Sequence, residues 1–304
     1  MSEIKLFKLN GKSAAEVAGQ AVALEKSLQT LIELNLETFL GVRLITSEHR
    51  TGKSHGGRID TLGIDENHFP VIIEYKRATN ENVMNQGLFY LDWLLDHRAD
   101  FKLLTLERYG KGTAEKIDWT GPRLICIAAD FTRYDLHAVQ QINRNIDLVR
   151  YRRFGDEFLA LELVHSVSMT EAMDSVEEDE VKPKVKQTDK PVTEAIAGLD
   201  AQLRDVYEAM RAFLMALGDD VSEKMTKLYV AFRRIKNFAS VTVQKSSLAL
   251  YLKLEPTADV LKEPNTRDVR TIGHWGTGNL EVSIRNMSDF ERAKQLMQKA
   301  YAGS

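Results

Sequence analysis

Apolar residues recur along this chain with two different periods, and the changes of period outline its elements. From Ala14 to Phe39 the positions Leu24, Leu28, Leu31 and Ile32 follow i, i+4, i+7, i+8 spacing, so a helix with one apolar stripe is predicted. A short strand follows near Val42 to Glu48. The polar, glycine-containing stretch Arg50 to Gly57 reads as a loop. Arg58 to Gly63 and Phe69 to Tyr75 are β-forming runs joined by the turn Asp65-Glu66-Asn67-His68. Asn82 to Asp96 reads as a helix, Phe101 to Leu106 and Arg123 to Ala129 as strands, and Leu136 to Asn145 as a helix. Ile146 to Tyr151 and Phe158 to Val164 are expected late strands. This alternation implies an α/β layer with a mixed central sheet flanked by helices.

The pattern stops between Met169 and Thr193. Glu177-Glu178-Asp179-Glu180 is followed there by alternating lysine and proline, with almost no large apolar residues. Such a stretch cannot bury enough surface to offset its ordering entropy. We expect a linker over 168–198, a first domain over 1–167 and a smaller α+β domain over 199–304. In the last, Leu203, Val206, Met210, Phe213 and Leu214 carry the stripe of a helix from Leu199 to Leu217. Strands are expected at Lys227 to Ile235, Ala239 to Gln244, Ser247 to Leu254 and Asn279 to Ile284, then a closing helix from Asp289 to Tyr301.

Composition adds little beyond a globular class. Of 304 residues, 43% are apolar and 28% charged. There is neither an apolar run long enough to span a membrane nor an N-terminal secretion signal, so a cytoplasmic protein without membrane partners is expected. The net charge of −3 is unevenly spread, at −2 over 1–167, −4 over 168–198 and +3 over 199–304. That distribution neither requires nor excludes nucleic acid. The single cysteine, Cys126, lies in an apolar run and reads as a small buried hydrophobe.

The chemistry concentrates in Gly57-Arg58-Ile59-Asp60 and Ile73-Glu74-Tyr75-Lys76-Arg77. Period-2 geometry places Glu74 and Lys76 on one face of their strand and Tyr75 on the other. An antiparallel hairpin then brings Asp60 beside Glu74, so two carboxylates and an ammonium converge. Mg²⁺ takes hard oxygen ligands and keeps several waters, so one or two carboxylates suffice to hold it. Such an ion polarises a phosphate and stabilises developing negative charge. The bland alternative is a surface charge ladder, but the apolar run leading into Glu74 argues against it.

This constellation, D-x13-E-x-K, resembles the PD-(D/E)XK nuclease superfamily, closest in wording to the archaeal NucS-type endonucleases and their bacterial relatives. Gln86-Gly87-Leu88-Phe89-Tyr90 fits the Q-x3-Y helix motif of RecB-like members, and Leu24-Glu25-Lys26-Ser27-Leu28-Gln29 resembles their first helix. The resemblance covers roughly residues 20–165. It implies a restriction-endonuclease-like fold and a Mg²⁺- or Mn²⁺-dependent endonuclease acting on DNA, in repair or in defence against foreign DNA. Asp60, Glu74 and Lys76 would be catalytic. Asp60, Glu74, the Tyr75 carbonyl and Glu25 would hold the metal, with Glu33 and Glu37 as alternatives to Glu25. Gln86 and Tyr90 would meet the DNA backbone, as would Arg58 and Arg77, for which a plain sheet-surface role is the alternative. Cutting both strands with one site per chain often takes two subunits, so a homodimer is among the expected partners.

The last domain resembles a small α+β domain that often follows such nucleases, sometimes under a "predicted transport protein" label. Its Lys224, Lys227, Arg233, Arg234, Lys236 and Lys245 cluster around Tyr229, Phe232 and Phe238. This is either a nucleic-acid surface or a core with a solvated cationic face. The competing reading for the whole chain is a non-catalytic nucleic-acid or protein binding module on a nuclease-like fold. Gly52-Lys53-Ser54 ends like a phosphate loop, but its first glycine is replaced by Ser47, and the histidines show no zinc spacing.

Overall fold

The structure, a computed structural model, describes residues 4–21, 25–52, 56–76, 83–169 and 191–304. The chain divides into two compact units, Met1–Thr170 and Glu171–Ser304.

The first unit opens with strands β1 (Leu6–Asn10) and β2 (Ser13–Val17), which form a hairpin of their own, and β3 (Gly19–Gln20). Helices α1 (Glu25–Leu34) and α2 (Leu36–Leu40) lead to β4 (Val42–Arg50), β5 (Arg58–Asp65) and β6 (Pro70–Lys76). Then come α3 (Val83–Asp96), α4 (Arg98–Tyr109), α5 (Lys111–Ala114), β7 (Arg123–Ala128), α6 (Arg133–Gln140), β8 (Asn145–Phe154) and β9 (Phe158–Val167). The sheet runs β3-β8-β7-β6-β5-β4, with β9 on the free flank of β8. Short connections make β4-β5-β6 and β8-β9 antiparallel, while helical crossovers make β6-β7 and β7-β8 parallel. This is the mixed sheet flanked by helices that the residue pattern implied. β6 and β7 read as near-continuous apolar runs because both their faces are covered. Ile72, Leu124, Cys126 and Leu148 share a core with Met84, Leu91 and Leu94 of α3, and α1 also packs on β5 and β6.

Two expectations fail here. Ala14 to Val17 is strand rather than helix, paired residue for residue with Leu6 to Leu9 around a turn at Gly11, whose φ is +61°. The alanines favour a helix by propensity, and a hairpin partner overrides that weak preference. Phe101 to Leu106 is the middle of α4 rather than a strand. Phe101 and Thr105 are fully buried at i, i+4, whereas Leu103 and Leu106 are exposed. Four apolar residues in a six-residue segment do not separate these periods by themselves.

The second unit begins with α7 (Val192–Ala197), inside the stretch expected as linker. Val192 is buried in the core, and its N–H donates to the Lys227 carbonyl at 2.8 Å. Residues 170–190 of that linker lie outside the described residues. After α8 (Ala201–Met215) come β10 (Ser222–Met225), β11 (Val230–Arg233), β12 (Asn237–Val243), β13 (Leu248–Leu252), β14 (Thr266–Asp268) and β15 (Leu280–Ile284). Helix α9 (Met287–Ala302) closes the chain. The sheet order is β10-β11-β12-β13-β15-β14, with β10 and β14 not foreseen. α8 and α9 pack against the sheet through Val206, Met210, Leu214, Phe290 and Met297.

Candidate functional site

The site forms where the β5-β6 hairpin ends. Thr61 pairs with Ile73 in the ladder, which sets Asp60 across from Glu74. The backbone N–H of Asp60 donates to Glu74 Oε1 at 3.2 Å, and that of Tyr75 donates to Asp60 Oδ2 at 3.1 Å. Each carboxylate is thus fixed by a strand backbone. Glu74 is fully buried, and its Oε2 has no hydrogen-bond partner. Burial, with the Asp60 charge beside it, pushes the Glu74 carboxyl up to about 9. Burial also raises the Asp60 carboxyl, against the Tyr75 N–H and the Lys76 ammonium, which lower it. An unpartnered buried carboxylate oxygen is costly unless it is protonated or meets a cation.

Lys76 shares the Glu74 face by strand parity, and its ammonium lies 3.5 Å from Glu25, the first residue of α1. Tyr75 turns the other way, to the Thr61 hydroxyl at 3.2 Å. Thr61 also bonds Glu33, 2.5 Å away. Of the three candidate helix acids, Glu25 therefore reaches the Lys76 side, Glu33 is held on the Tyr75 side, and Glu37 is exposed on α2. Among the described residues no three His, Cys, Asp or Glu side chains gather closely enough to form a complete metal cage. Two carboxylates, one with an open oxygen, fit a hard cation that keeps most of its waters.

The residues expected at the DNA backbone lie in different surroundings. Tyr90 is buried, and its hydroxyl accepts the Arg58 N–H at 3.0 Å. A side chain at Gly57 would stand 2.6 Å from its ring. In this structure Tyr90 props the start of β5. Its phenol takes up a backbone N–H at the start of β5, which strand spacing alone does not reveal. Gln86 lies half-buried on α3, one turn earlier. Arg58 is exposed, with its Nε 2.6 Å from Glu48. Arg77 lies outside the described residues.

Two site residues were not foreseen. Gln29 is buried, with its amide donating to the Asp60 carbonyl at 2.8 Å and to Glu33 at 3.0 Å. It ties α1 to the strand that carries Asp60, although a lone glutamine in a helix reads as surface. Glu48 sits in β4 with φ +57° and forms ion pairs with both Lys26 and Arg58. Its role shows only once β4 is laid beside β5.

In the second unit, Phe232 and Phe238 are fully buried in the core and Tyr229 is buried as well. Arg234 pairs with Asp220 at 2.6 Å and stacks on Tyr301. The rings of that basic cluster therefore serve the core.

Fold and site together define a two-unit α/β protein whose first unit presents a buried glutamate, a half-buried aspartate and a lysine at a sheet end. The family described as "Domain of unknown function (DUF5655)" matches residues 192–304, the second unit. A protein of Haemophilus influenzae, described as uncharacterized, is 27% identical over 98% of this chain and 99% of its own length. Among solved structures, a repair endonuclease from Pyrococcus abyssi aligns at 19% identity with a TM-score of 0.29, over 45% of this chain and 50% of that one. No described helix is long and apolar enough to cross a membrane.

Proposed function

We propose that this protein is a metal-dependent nuclease that hydrolyses phosphodiester bonds of DNA. The observation that carries the reading is the buried Glu74 carboxylate, with one oxygen open, beside Asp60 and on the face of Lys76. Asp60 and Glu74 would hold Mg²⁺ or Mn²⁺, with the Tyr75 carbonyl as a further oxygen donor, while Glu25 stays on Lys76. The bound ion would supply Lewis-acid polarisation of the phosphate and a lowered pKa for an attacking water.

The protein's own groups set the geometry. Gln29 holds the backbone of Asp60, and the Tyr75 N–H orients its carboxylate. Glu25 steers the Lys76 ammonium, which stands ready to bond the attacking water or a non-bridging phosphate oxygen as negative charge grows. The hairpin backbone fixes both carboxylates before substrate arrives, so little reorganisation accompanies the reaction.

The test is cleavage of duplex, single-stranded and branched DNA in Mg²⁺ or Mn²⁺, by the wild type and by Asp60→Ala and Lys76→Ala. Both variants should stay folded and lose cleavage. Tight DNA binding by the wild type without cleavage or cation binding would point instead to an inert binding module.

A further inference from the structure

Lys26 and Arg58 come from different elements, α1 and β5, yet both end on the carboxylate of Glu48, Arg58 Nε at 2.6 Å. The two cationic side chains are 59% and 61% exposed, against 25% for Glu48. Ser47 pairs with Thr61 and His49 with Ile59, so Glu48 falls across from Asp60, as Asp60 does from Glu74. One row thus crosses three strands at about 4.8 Å per step, and the cation pair flanks the acidic pair one strand away. Lys26 is also fixed from below by Gln29 Oε1 at 3.2 Å, the same side chain that holds the Asp60 carbonyl.

Glu48 is thereby committed to cations, and it does not join Asp60 and Glu74 in a three-acid cage. An ammonium and a guanidinium that converge on one two-oxygen anion offer donors that also suit a phosphate. Glu48 reaches that position only with a left-handed backbone inside a strand, a conformation disfavoured for a residue with a Cβ.

We propose that Lys26 and Arg58 form a second phosphate site, which grips a backbone phosphate of duplex DNA next to the reacting one, with Glu48 as the resident anion that the phosphate displaces. This rests on the nuclease reading above. Glu48 then acts as a positioning residue. It keeps two flexible cations aimed at one point, and it lowers affinity because it competes for them.

The experiment is equilibrium binding of a fluorescein-labelled DNA duplex in EDTA, where cleavage does not interfere, over a salt series. Removing both cations in Lys26→Ala/Arg58→Ala should weaken binding and make the slope of log K against log salt shallower by about 0.9, the loss of one phosphate contact. Glu48→Gln should tighten binding about two- to fivefold, the range of an exposed ion pair, and should do nothing once both cations are gone. Melting temperatures close to wild type would show that the variants fold. Unchanged slope in the double variant, or weaker binding in Glu48→Gln, would overturn the site. If that happens while the wild type cleaves DNA in Mg²⁺, the phosphate site alone is wrong. A wild type that neither binds nor cleaves DNA overturns both readings.

Discussion

Glu74 accepts the Asp60 backbone N–H through Oε1, while its other oxygen is buried without a partner. The pair is satisfied on one side only. Its metal-free state holds a proton that an ordinary carboxylate would have released, because burial and the Asp60 charge raise the Glu74 carboxyl to about 9 from 4.5.

That proton makes metal-free stability depend on pH. Between about 4.5 and 9 the folded protein keeps the proton and the unfolded chain does not, so stability must fall as pH rises. One such group contributes at most about 1.4 kcal/mol per pH unit. Thermal melts in EDTA from acid to alkaline pH should therefore show a declining melting temperature. Glu74→Gln, which needs no proton, should flatten the decline and be the more stable form at the alkaline end. A wild-type melting temperature that climbs over this range would contradict a protonated Glu74.

Lys76 and Glu25 should separate in kinetics. Lys76→Ala removes the cation that meets developing charge, and cleavage should drop by at least about 100-fold. Glu25→Gln keeps that lysine but loosens its aim, and the loss should be about 10- to 100-fold. Equal losses in the two variants, measured as kcat on one DNA substrate, would mean that Glu25 does more than orient Lys76.

Tyr90→Phe tests whether that side chain supports the fold or touches DNA. Loss of the bond from the Arg58 N–H should lower stability by about 1 kcal/mol. DNA affinity and its salt dependence should stay as in the wild type. Gly57→Ala should destabilise more, because its new methyl would lie 2.6 Å from the Tyr90 ring. A fall in DNA affinity with Tyr90→Phe at unchanged stability would return the residue to the DNA surface.

A buried ionic knot pins the opposite end of the sheet. Arg123, at the start of β7, bonds Asp65 at 3.0 Å and Asp147 at 2.5 Å, and all three are buried. Asp65 also accepts the N–H groups of Asn67 and Phe69, and Asp147 the Ser166 hydroxyl. Arg123→Ala strands two carboxylates in the core and should cost about 3–5 kcal/mol, read by urea unfolding. A loss below about 1 kcal/mol would mean that water reaches the site.

The residue order alone determined the hairpin that carries the site. Arg58 to Gly63 and Phe69 to Tyr75 read as strands around a turn, where the structure has Arg58–Asp65 and Pro70–Lys76. The hairpin puts Glu74 beside Asp60, and period 2 puts Tyr75 on the far face. The alternation of helices and strands likewise implied a mixed sheet, because local periodicity is written in neighbouring residues. What only the tertiary structure decided is which residues from distant segments converge on that hairpin. Gln29 and Tyr90 are polar or aromatic positions on helices, and nothing local distinguishes them from surface or core until α1 and α3 are docked. The strand at Ala14 to Val17 and the helix through Phe101 went astray for the same reason. Short segments have weak intrinsic preferences, and the partner surface that settles them lies elsewhere in the chain.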